Sequence, residues 1–445
     1  MAWTANSARL AATPALAPAI DADRAEILAS VKSAKPVQSG KEHPGTPWLK
    51  DLKIVDLTNV IAGPMVAGSM VRFSPSIIKL DAVKPTYDPW NTVGFGMFAS
   101  QSKKSILVDL KTAGGGGVMK KLIAWADVII FNGLDRQMKA LGIDWETIQA
   151  INPQAILTQV SGWGGPLEGP RSGYLGYDDI VQSSTGVMAR FGGGYLTPEE
   201  HAHMGTIDVL GGHCAAFATM VALYQRKRTG LGQIASSSLC AAGQLIQVPF
   251  MFDYDGRAPF NEPSGPMAKG WNALRRCYET KTGWIFLSAM KDEIEKLETL
   301  DCLKGLGEKN DEARTELLKQ VFIGDSAENW IPRLKALDIG AVRVGSLEGL
   351  RQSFTHDFDG RAYHEGDTYQ FISYKNHPAG REIVIAAQCA VRPMEAALVA
   401  PVPMEKQGTS TIMILKEHGY SAEDIDRLIA EKAVSISWGK QYLPD

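Results

Sequence analysis

Acidic side chains follow a glycine-rich stretch in the middle of the chain. Three glycines, 192–194, precede Pro198, Glu199 and Glu200. A short glycine loop can expose a carboxylate beside backbone amides, so that the carboxylate could act as a nucleophile and the amides could stabilise an oxyanion. The same run also fits a helix start, where carboxylates only favour the helix dipole. We expect Glu199 to be the nucleophile, with Glu200 as the weaker candidate.

Three other stretches could meet a ligand, two of them a phosphorylated one. Residues 56–64 read as a strand end, a small-residue turn and a helix start, and free amides at a helix N-terminus suit phosphate. Lys103 and Lys104 are adjacent cations that could hold phosphates. Ser161 ends an apolar run before glycines that let a backbone approach a ligand closely. A plain turn, solvated lysines and a structural loop are the respective alternatives.

Neither the histidines nor the paired aspartates predict a metal site. His201 and His203 alternate, but no third ligand is indicated, so a polar loop is the better interpretation. Asp178 and Asp179 open a predicted helix, where acidic residues favour the dipole. We therefore expect no metal and no permanently bound cofactor.

The composition excludes several classes of protein. The chain has 445 residues and a formal net charge of −3, so no basic surface for nucleic acid is expected. Its five cysteines form no CxxC pair, which favours a reducing compartment and a cytoplasmic location. No run approaches about 20 uninterrupted apolar residues, so no membrane span is expected. The N-terminus does not resemble a signal peptide.

The hydrophobic pattern predicts a mainly parallel α/β sheet. Short apolar strands near residues 53–57, 76–80, 105–110, 127–131 and 155–160 alternate with helical stretches. A long apolar helix is predicted over 205–228, and we expect it to be deeply buried. Residues 277–287 indicate a hairpin, followed by helical patterns near 291–303 and 311–321. Helices return over 409–429, with Gly419 ending one and Ser421 capping the next.

This pattern divides the chain into five parts. Residues 1–47 are an Ala/Pro/Ser-rich extension and linker, with a helical pattern over 21–32. The large domain begins with residues 48–250, and 251–269 is a linker. Residues 270–375 form a smaller α+β domain, and 376–445 return to the large domain.

Several motifs in register carry a family resemblance. They are Asp-Leu-Thr-x-Val-x-Ala-Gly-Pro at 56–64, Ser-Lys-Lys-Ser-Ile-Leu-Val-Asp-Leu-Lys-Thr at 102–112, Gly-Tyr-Asp at 176–178 with Gln182, and Arg-Thr-Gly-Leu-Gly-Gln at 228–233. Together they resemble the class III CoA-transferases, a family that includes formyl-CoA transferase, carnitine CoA-transferase and, more distantly, 2-methylacyl-CoA racemase. The resemblance covers about residues 48–445.

The resemblance implies a fold and a substrate. It implies a Rossmann-like large domain formed by both chain ends, an inserted small domain, and two chains interlocked as a homodimer or as a pseudo-dimer with a homologous module. Acyl-CoA and a small carboxylic acid would be the substrates, with CoA between the domains. By position, Val60 and Ala62 would line the adenosine end, Lys103 and Lys104 would face phosphates, and Asn132 would adjoin the pantetheine channel.

The chain departs from the family around the reacting carboxylate. A gapless placement puts Tyr195 or Leu196 at the position of the transferases' aspartate, and a small gap brings in Glu199. The racemases' histidine falls at Tyr177 and their aspartate at Asp208. Three alternatives follow: a transferase using Glu199, Glu200 or Asp208, an acyl-CoA isomerase or racemase using Tyr177, and a silent CoA-binding subunit.

Residues 1–47 have a further interpretation. They resemble the terminal tail of another module of this family, as in the fused transferase-lyases that act on dimethylsulfoniopropionate. A disordered extension is the alternative that the Ala/Pro/Ser composition favours.

Overall fold

The structure is a computed structural model, and it describes residues 22–33, 45–86, 88–164, 169–202, 205–257, 265, 268–364, 369–387, 390–440 and 442. The predicted α/β class is confirmed. His203, one of the paired histidines, lies outside the described residues.

Six parallel strands form the centre of the fold. They are β1 (Lys53–Asp56), β2 (Ser76–Asp81), β3 (Lys104–Val108), β4 (Val128–Phe131), β5 (Ile156–Ser161) and β6 (Ile234–Ser238). Their order across the sheet is β3-β2-β1-β4-β5-β6. The chain therefore builds outward from β1 in one direction and then from β4 in the other, and ligands of such sheets bind where this order reverses.

Helices cover both faces of the sheet. Along the chain the first ten described helices are α1 (Arg24–Ser33), which is exposed, α2 (Ala62–Gly68), α3 (Pro89–Ala99), α4 (Ala113–Trp125), α5 (Asp135–Leu141), α6 (Trp145–Ile151), α7 (Asp178–Thr185), α8 (Val187–Phe191), α9 (Ile207–Thr229) and α10 (Leu239–Leu245). Val55 and Ile129 pack with α4, α5 and α6, whereas Ile54 and Ile130 pack with α2, α7, α9 and α10. Strands buried on both faces explain the continuous apolar runs in the sequence.

The inserted region has two smaller sheets. β7 (Gly270–Asn272), β8 (Arg275–Thr280), β9 (Gly283–Ser288) and β10 (Gly340–Arg343) form an antiparallel sheet, and the predicted hairpin is the β8–β9 pair. Helices α11 (Ile294–Leu297), α12 (Asp311–Phe322), α13 (Ala327–Ala336) and α14 (Leu347–Phe354) lie in this region. A three-stranded sheet of β11 (Thr355–Asp357), β12 (Phe371–Tyr374) and β13 (Ile383–Ala386) follows.

The C-terminal segment packs on the large sheet. Helices α15 (Thr411–Glu417) and α16 (Ala422–Ala430) join the core beside α4, and β14 (Val434–Ser435) pairs antiparallel with β3. The predicted helix ends are confirmed: Gly419 adopts a φ of 77°, and the Ser421 hydroxyl accepts from the Asp424 amide at 3.1 Å.

Helix α9 is only partly buried, contrary to the sequence-based expectation. One face packs on the sheet and α2, while Phe217, Met220, Val221 and Tyr224 on the other face are exposed. By length and composition α9 is the one helix among the described residues that could cross a membrane, a property that a core helix of a soluble protein shares.

Only part of the N-terminal extension is described. Helix α1 confirms the short helical pattern, and all of its residues are exposed. The rest of the predicted tail, residues 1–21 and 34–44, lies outside the described residues.

Candidate active site

A cleft opens where the strand order reverses. It has a volume of about 420 Å³ and is lined by the residues that follow β1, β2, β3 and β4, together with α5. Its polar lining consists of Asn59, Asp81, Thr86, Asp109, Lys111, Asn132 and Gln137. A cleft of this size at the carboxyl ends of parallel strands suits part of a nucleotide-bearing ligand.

Asn132 joins the two halves of the sheet at this cleft. Its side-chain Oδ1 accepts from the Asn59 amide at 2.9 Å, and its Nδ2 donates to the Asn59 carbonyl at 2.9 Å. The Asn132 side chain thus makes the two backbone hydrogen bonds of Asn59 that a neighbouring strand would otherwise supply. Asn132 lines this cleft, which is formed by residues 57–141 alone, and its predicted place beside a pantetheine channel between two domains stays a prediction.

The turn after Asn59 is strained. Val60 has a φ of 62°, in the left-handed region that a β-branched residue rarely adopts. Such strain costs on the order of 1–3 kcal/mol and persists where surrounding contacts fix the turn. Val60 packs against Ile61 and Met65, and Ala62 is buried at the start of α2. Their predicted contact with adenosine stays a prediction.

Lys103 lies beneath this turn, in a buried ion pair. Its Nζ lies 2.7 Å from Oδ2 of Asp56 and 2.8 Å from the Pro64 carbonyl oxygen, and neither charged side chain is exposed. Burial opposes ionisation of Asp56, but Lys103 holds the pKa of that carboxyl below its usual value. In this arrangement Lys103 stabilises the β1–α2 turn, and its ammonium group is not accessible to a phosphate in solvent.

Lys104 points to a different part of the surface. It is exposed at the start of β3, and its Nζ is 3.8 Å from Oε1 of Glu417 on α15. The cleft meets β3 at its other end, at Val108. The lysine that lines the cleft is Lys111, which follows β3.

Asp208 stands in the first turn of α9, close to the same β1–α2 turn. The next residue, Val209, packs with Ile61 and Met65. One turn later α9 touches α2 so closely that a Cβ on Gly212 would lie 2.6 Å from the Ala62 carbonyl oxygen. Asp208 is 9% exposed. Burial, followed by the charges of Asp178 and Asp179, raises the pKa of Asp208 to about 7.

A second buried carboxylate caps the start of α9. Oδ2 of Asp178 accepts from the amides of Ile207, at 3.1 Å, and Asp208, at 2.8 Å. Its Oδ1 accepts from Nε2 of Gln182, whose Oε1 in turn accepts from the His201 amide at 3.0 Å. The Gly-Tyr-Asp motif with Gln182 is thus a polar clamp that fixes where α9 begins.

The remaining predicted residues lie at the surface or in loop contacts. Glu199 and Glu200 are exposed in the loop that leads towards α9, and the Glu199 carbonyl lies against Gly192. Tyr177 precedes α7 and is 44% exposed. The Ser161 hydroxyl accepts from the Gly164 amide at 2.8 Å, which supports the structural interpretation of that loop. No cluster of metal ligands occurs within the described ranges.

Comparison with known proteins identifies the family of this chain. The sequence profile described as "CoA-transferase family III" matches residues 49–367. The chain belongs to CoA-transferase family III. The sequence-based identification of the family is thereby confirmed.

Individual relatives add detail. The chain is 40% identical over 400 residues to the CoA-transferase/lyase DddD of Marinomonas sp. (strain MWYL1), which covers 90% of this chain and 47% of that protein. The chain therefore spans about half the length of this relative. It is 25% identical to human alpha-methylacyl-CoA racemase, over 89% of this chain and all of that one. A CAIB/BAIF family protein from Brucella suis has the same fold, with a TM-score of 0.70 and 22% identity over 84% of this chain and 99% of that one.

Sequence reasoning did not single out several residues that line the cleft. Asn59, Asp81, Lys111 and Gln137 line the cleft, yet none was a candidate. Their shared signal is position, since Asn59, Asp81 and Lys111 lie at or just beyond the carboxyl end of a predicted strand. The clamp residue Asp178 was assigned only to the dipole of its own helix, whereas it caps a different helix.

Proposed function

We propose that this chain transfers CoA between carboxylic acids and that Asp208 is the carboxylate that carries the acyl group. The buried position of Asp208, beside the turn that leaves β1, carries the proposal. Membership of CoA-transferase family III and the transferase in the name of the DddD relative support the reaction class.

The reaction needs one carboxylate and no cofactor. The Asp208 oxygen attacks the thioester carbonyl of the donor and expels CoA thiolate, which leaves a mixed anhydride. The thiolate then attacks the Asp208 carbonyl, releases the donor acid and forms an Asp208–CoA thioester. The acceptor carboxylate attacks this thioester and releases the thiolate, which takes the acyl group from the new anhydride and restores Asp208. Each step is an acyl exchange, so the difficult transfer is divided into easier ones.

The environment of Asp208 favours such chemistry. A carboxylate whose pKa lies near neutrality is a better base and a worse leaving group than an ordinary aspartate. The burial of Asp208 also excludes water that would hydrolyse the anhydride. Glu199, the first choice from the sequence, is exposed in its loop, so water would compete with thiolate there. We therefore place the acyl group on Asp208 and keep Glu199 as the competing site in the test.

The CoA nucleotide would occupy the cleft at the switch point. Lys111 is the cation among the cleft-lining residues, and we propose that it meets the CoA phosphates. Asn59 and Asn132 supply the polar wall on the side nearer to α2. The acid donor and acceptor are small carboxylates in this proposal.

Trapping the enzyme-bound intermediate tests the assignment. After incubation with an acyl-CoA, borohydride or hydroxylamine should modify wild type at Asp208, identified by peptide mass spectrometry. Asp208→Asn should abolish the modification, and Glu199→Gln should retain it because it leaves Asp208 intact. An adduct on Glu199, or an adduct that survives Asp208→Asn, would contradict the proposal.

A racemase would need a second base. The residue at the racemases' histidine position is Tyr177, so the chain lacks the imidazole that would serve as one of the two bases there. A silent CoA-binding subunit predicts CoA binding without any adduct. The same trapping experiment, combined with calorimetry of CoA binding, separates it from the transferase.

We propose that the exposed face of α9 is covered by a second copy or by a homologous module. Phe217, Met220, Val221 and Tyr224 form a continuous apolar stripe, and unpartnered stripes of this kind mark interaction surfaces. The relative that is twice as long supports the second option. We further propose cytoplasmic action, which agrees with the four free cysteines of the described residues. A monomer that persists in analytical ultracentrifugation at micromolar concentration would contradict the assembly.

A further inference from the structure

The side chain of Asp178 contacts the backbone of Asp208, not its carboxylate. Its Oδ2 accepts from the Asp208 amide at 2.8 Å and from the Ile207 amide at 3.1 Å. These are two of the amides that a helix start leaves without intrahelical acceptors. No side-chain cap comes from Thr206, the residue before α9. The cap is supplied by α7, about 30 residues earlier in the chain.

The orientation of this cap is fixed from its other side. Gln182 is fully buried and donates from Nε2 to Oδ1 of Asp178, because its Oε1 is already committed to the His201 amide at 3.0 Å. The amide group of Gln182 therefore has one sensible orientation. Burial raises the pKa of Asp178, and its three N–H donors oppose that shift because they favour the ionised carboxylate over the protonated form.

The groups facing Asp208 are predominantly acidic. Helix α7 contributes Asp178 and Asp179, whose charges act on Asp208. The loop before α9 holds His201 and Glu200, and the charge of Glu200 acts on Asp178. Helices α2, α3 and α10 consist of uncharged residues. On α9 itself the next titratable groups are His213 and Cys214, and its cations stand at the far end, beyond Gln225. Negative charge next to a buried carboxylate disfavours its ionisation.

We propose that Asp178 is the positioning residue for Asp208: it holds the first turn of α9 in place and keeps a negative charge beside the reacting carboxylate. The consequence is a carboxylate whose ionisation follows pH near neutrality. This inference rests on the proposed function for its catalytic readout, whereas its electrostatic part does not require any turnover.

The electrostatic part is tested by a double-mutant cycle. The change in unfolding free energy caused by Asp208→Asn is measured from pH 4 to pH 9, once in wild type and once in Asp178→Asn. In wild type this difference in unfolding free energy should vary with pH up to about 7, the pKa of Asp208 in the folded protein, and stay constant above it. In Asp178→Asn we expect the upper limit of this range to move down by about one pH unit. The same limit in both backgrounds would overturn the proposal.

The kinetic part has a matched control. In Asp178→Asn we expect the acid limb of the pH–rate profile to move down with the stability curve, and kcat at pH 8 to fall by about tenfold as the first turn of α9 loses its anchor. Asp179→Asn removes an equal charge from an exposed neighbour that makes no hydrogen bond to α9, so its shift should be smaller and its kcat preserved. A larger shift in Asp179→Asn would also overturn the proposal.

Two outcomes separate this inference from the proposed function. A shifted stability curve without any acyl adduct on Asp208 supports the inference and contradicts the transferase role. An adduct on Asp208 with an unshifted stability curve supports the transferase role and contradicts the inference. If Asp178→Asn does not fold, Asp178→Ser serves in both experiments, since a short hydroxyl is also a good acceptor at a helix start and carries no charge.

Discussion

Lys103 and Asp56 form an ion pair that no solvent reaches. Their Nζ–Oδ2 distance is 2.7 Å, and Asp56 also accepts from the amide and the hydroxyl of Thr58. The pair thus connects the start of β3, the end of β1 and the first residues of the turn that borders the cleft. A lysine that looks like a phosphate ligand in the sequence is a structural brace in the fold.

Replacing this lysine should mainly affect stability. Lys103→Met leaves Asp56 as a buried charge without its cation, so we expect the free energy of unfolding to fall by about 3–5 kcal/mol. Lys104→Met is the matched control, and because Lys104 is exposed its effect should stay within about 0.5 kcal/mol. Urea denaturation measures both. Equal effects of the two variants would contradict a structural role for Lys103.

The two hydrogen bonds between Asn132 and the Asn59 backbone should matter for binding as well as stability. Asn132→Leu removes both hydrogen bonds to the Asn59 backbone and leaves its amide and carbonyl to find water, which we expect to cost about 1–3 kcal/mol. Because Asn59 lines the cleft, CoA affinity measured by calorimetry should fall by about tenfold. Asn329→Leu, at an exposed position of helix α13, is the control. Unchanged affinity in Asn132→Leu would place CoA elsewhere.

Local pattern was enough to predict most of the elements. Strand β4 is apolar throughout because both of its faces are buried, so its sequence identifies it without any need to know which face is which. Helix α6, the hairpin β8–β9 and the cap at Ser421 follow from signals that lie within a few residues of one another. Such signals can be recognised without knowledge of the tertiary fold.

The site depended on contacts that sequence spacing does not reveal. The direction of Lys103 is set by Asp56, 47 residues away, and the burial of Asp208 is set by helices α2 and α7. A polar residue gives no local sign of whether it points inward, since its partner decides. The exposed face of α9 was missed for the converse reason: apolar composition predicts burial but not what provides the cover.

The strained turn at Val60 makes a further prediction. Val60→Gly removes the Cβ that disfavours a φ of 62°, but it also loosens the chain and deletes contacts with Ile61 and Met65. We expect stability to change by less than about 1 kcal/mol because these effects oppose each other. CoA affinity should fall, since the turn beside Asn59 becomes less ordered. Val60→Ala keeps the strain, so it should lower stability and preserve affinity better than Val60→Gly.

Asp208 makes a prediction about pH and stability that needs no substrate. Its native pKa of about 7 lies above the value of 3.8 for an ordinary aspartate, so between these values the folded protein holds a proton that the unfolded chain has released. Stability from this group is therefore greatest at low pH and declines as pH rises from about 4 to about 7. Above that range the buried carboxylate is charged in the folded state and is a net cost.

Asp208→Asn removes this dependence. We expect the variant to be more stable than wild type at pH 8 by on the order of 2 kcal/mol, and the advantage to shrink as pH falls towards 5. Glu199→Asn, which removes an acidic side chain from the exposed loop, is the matched control. Guanidinium denaturation at pH 5 and pH 8 measures all three proteins. If the difference between Asp208→Asn and wild type is the same at both pH values, Asp208 titrates as an ordinary aspartate, and the environment we assign to the acyl-carrying carboxylate is wrong.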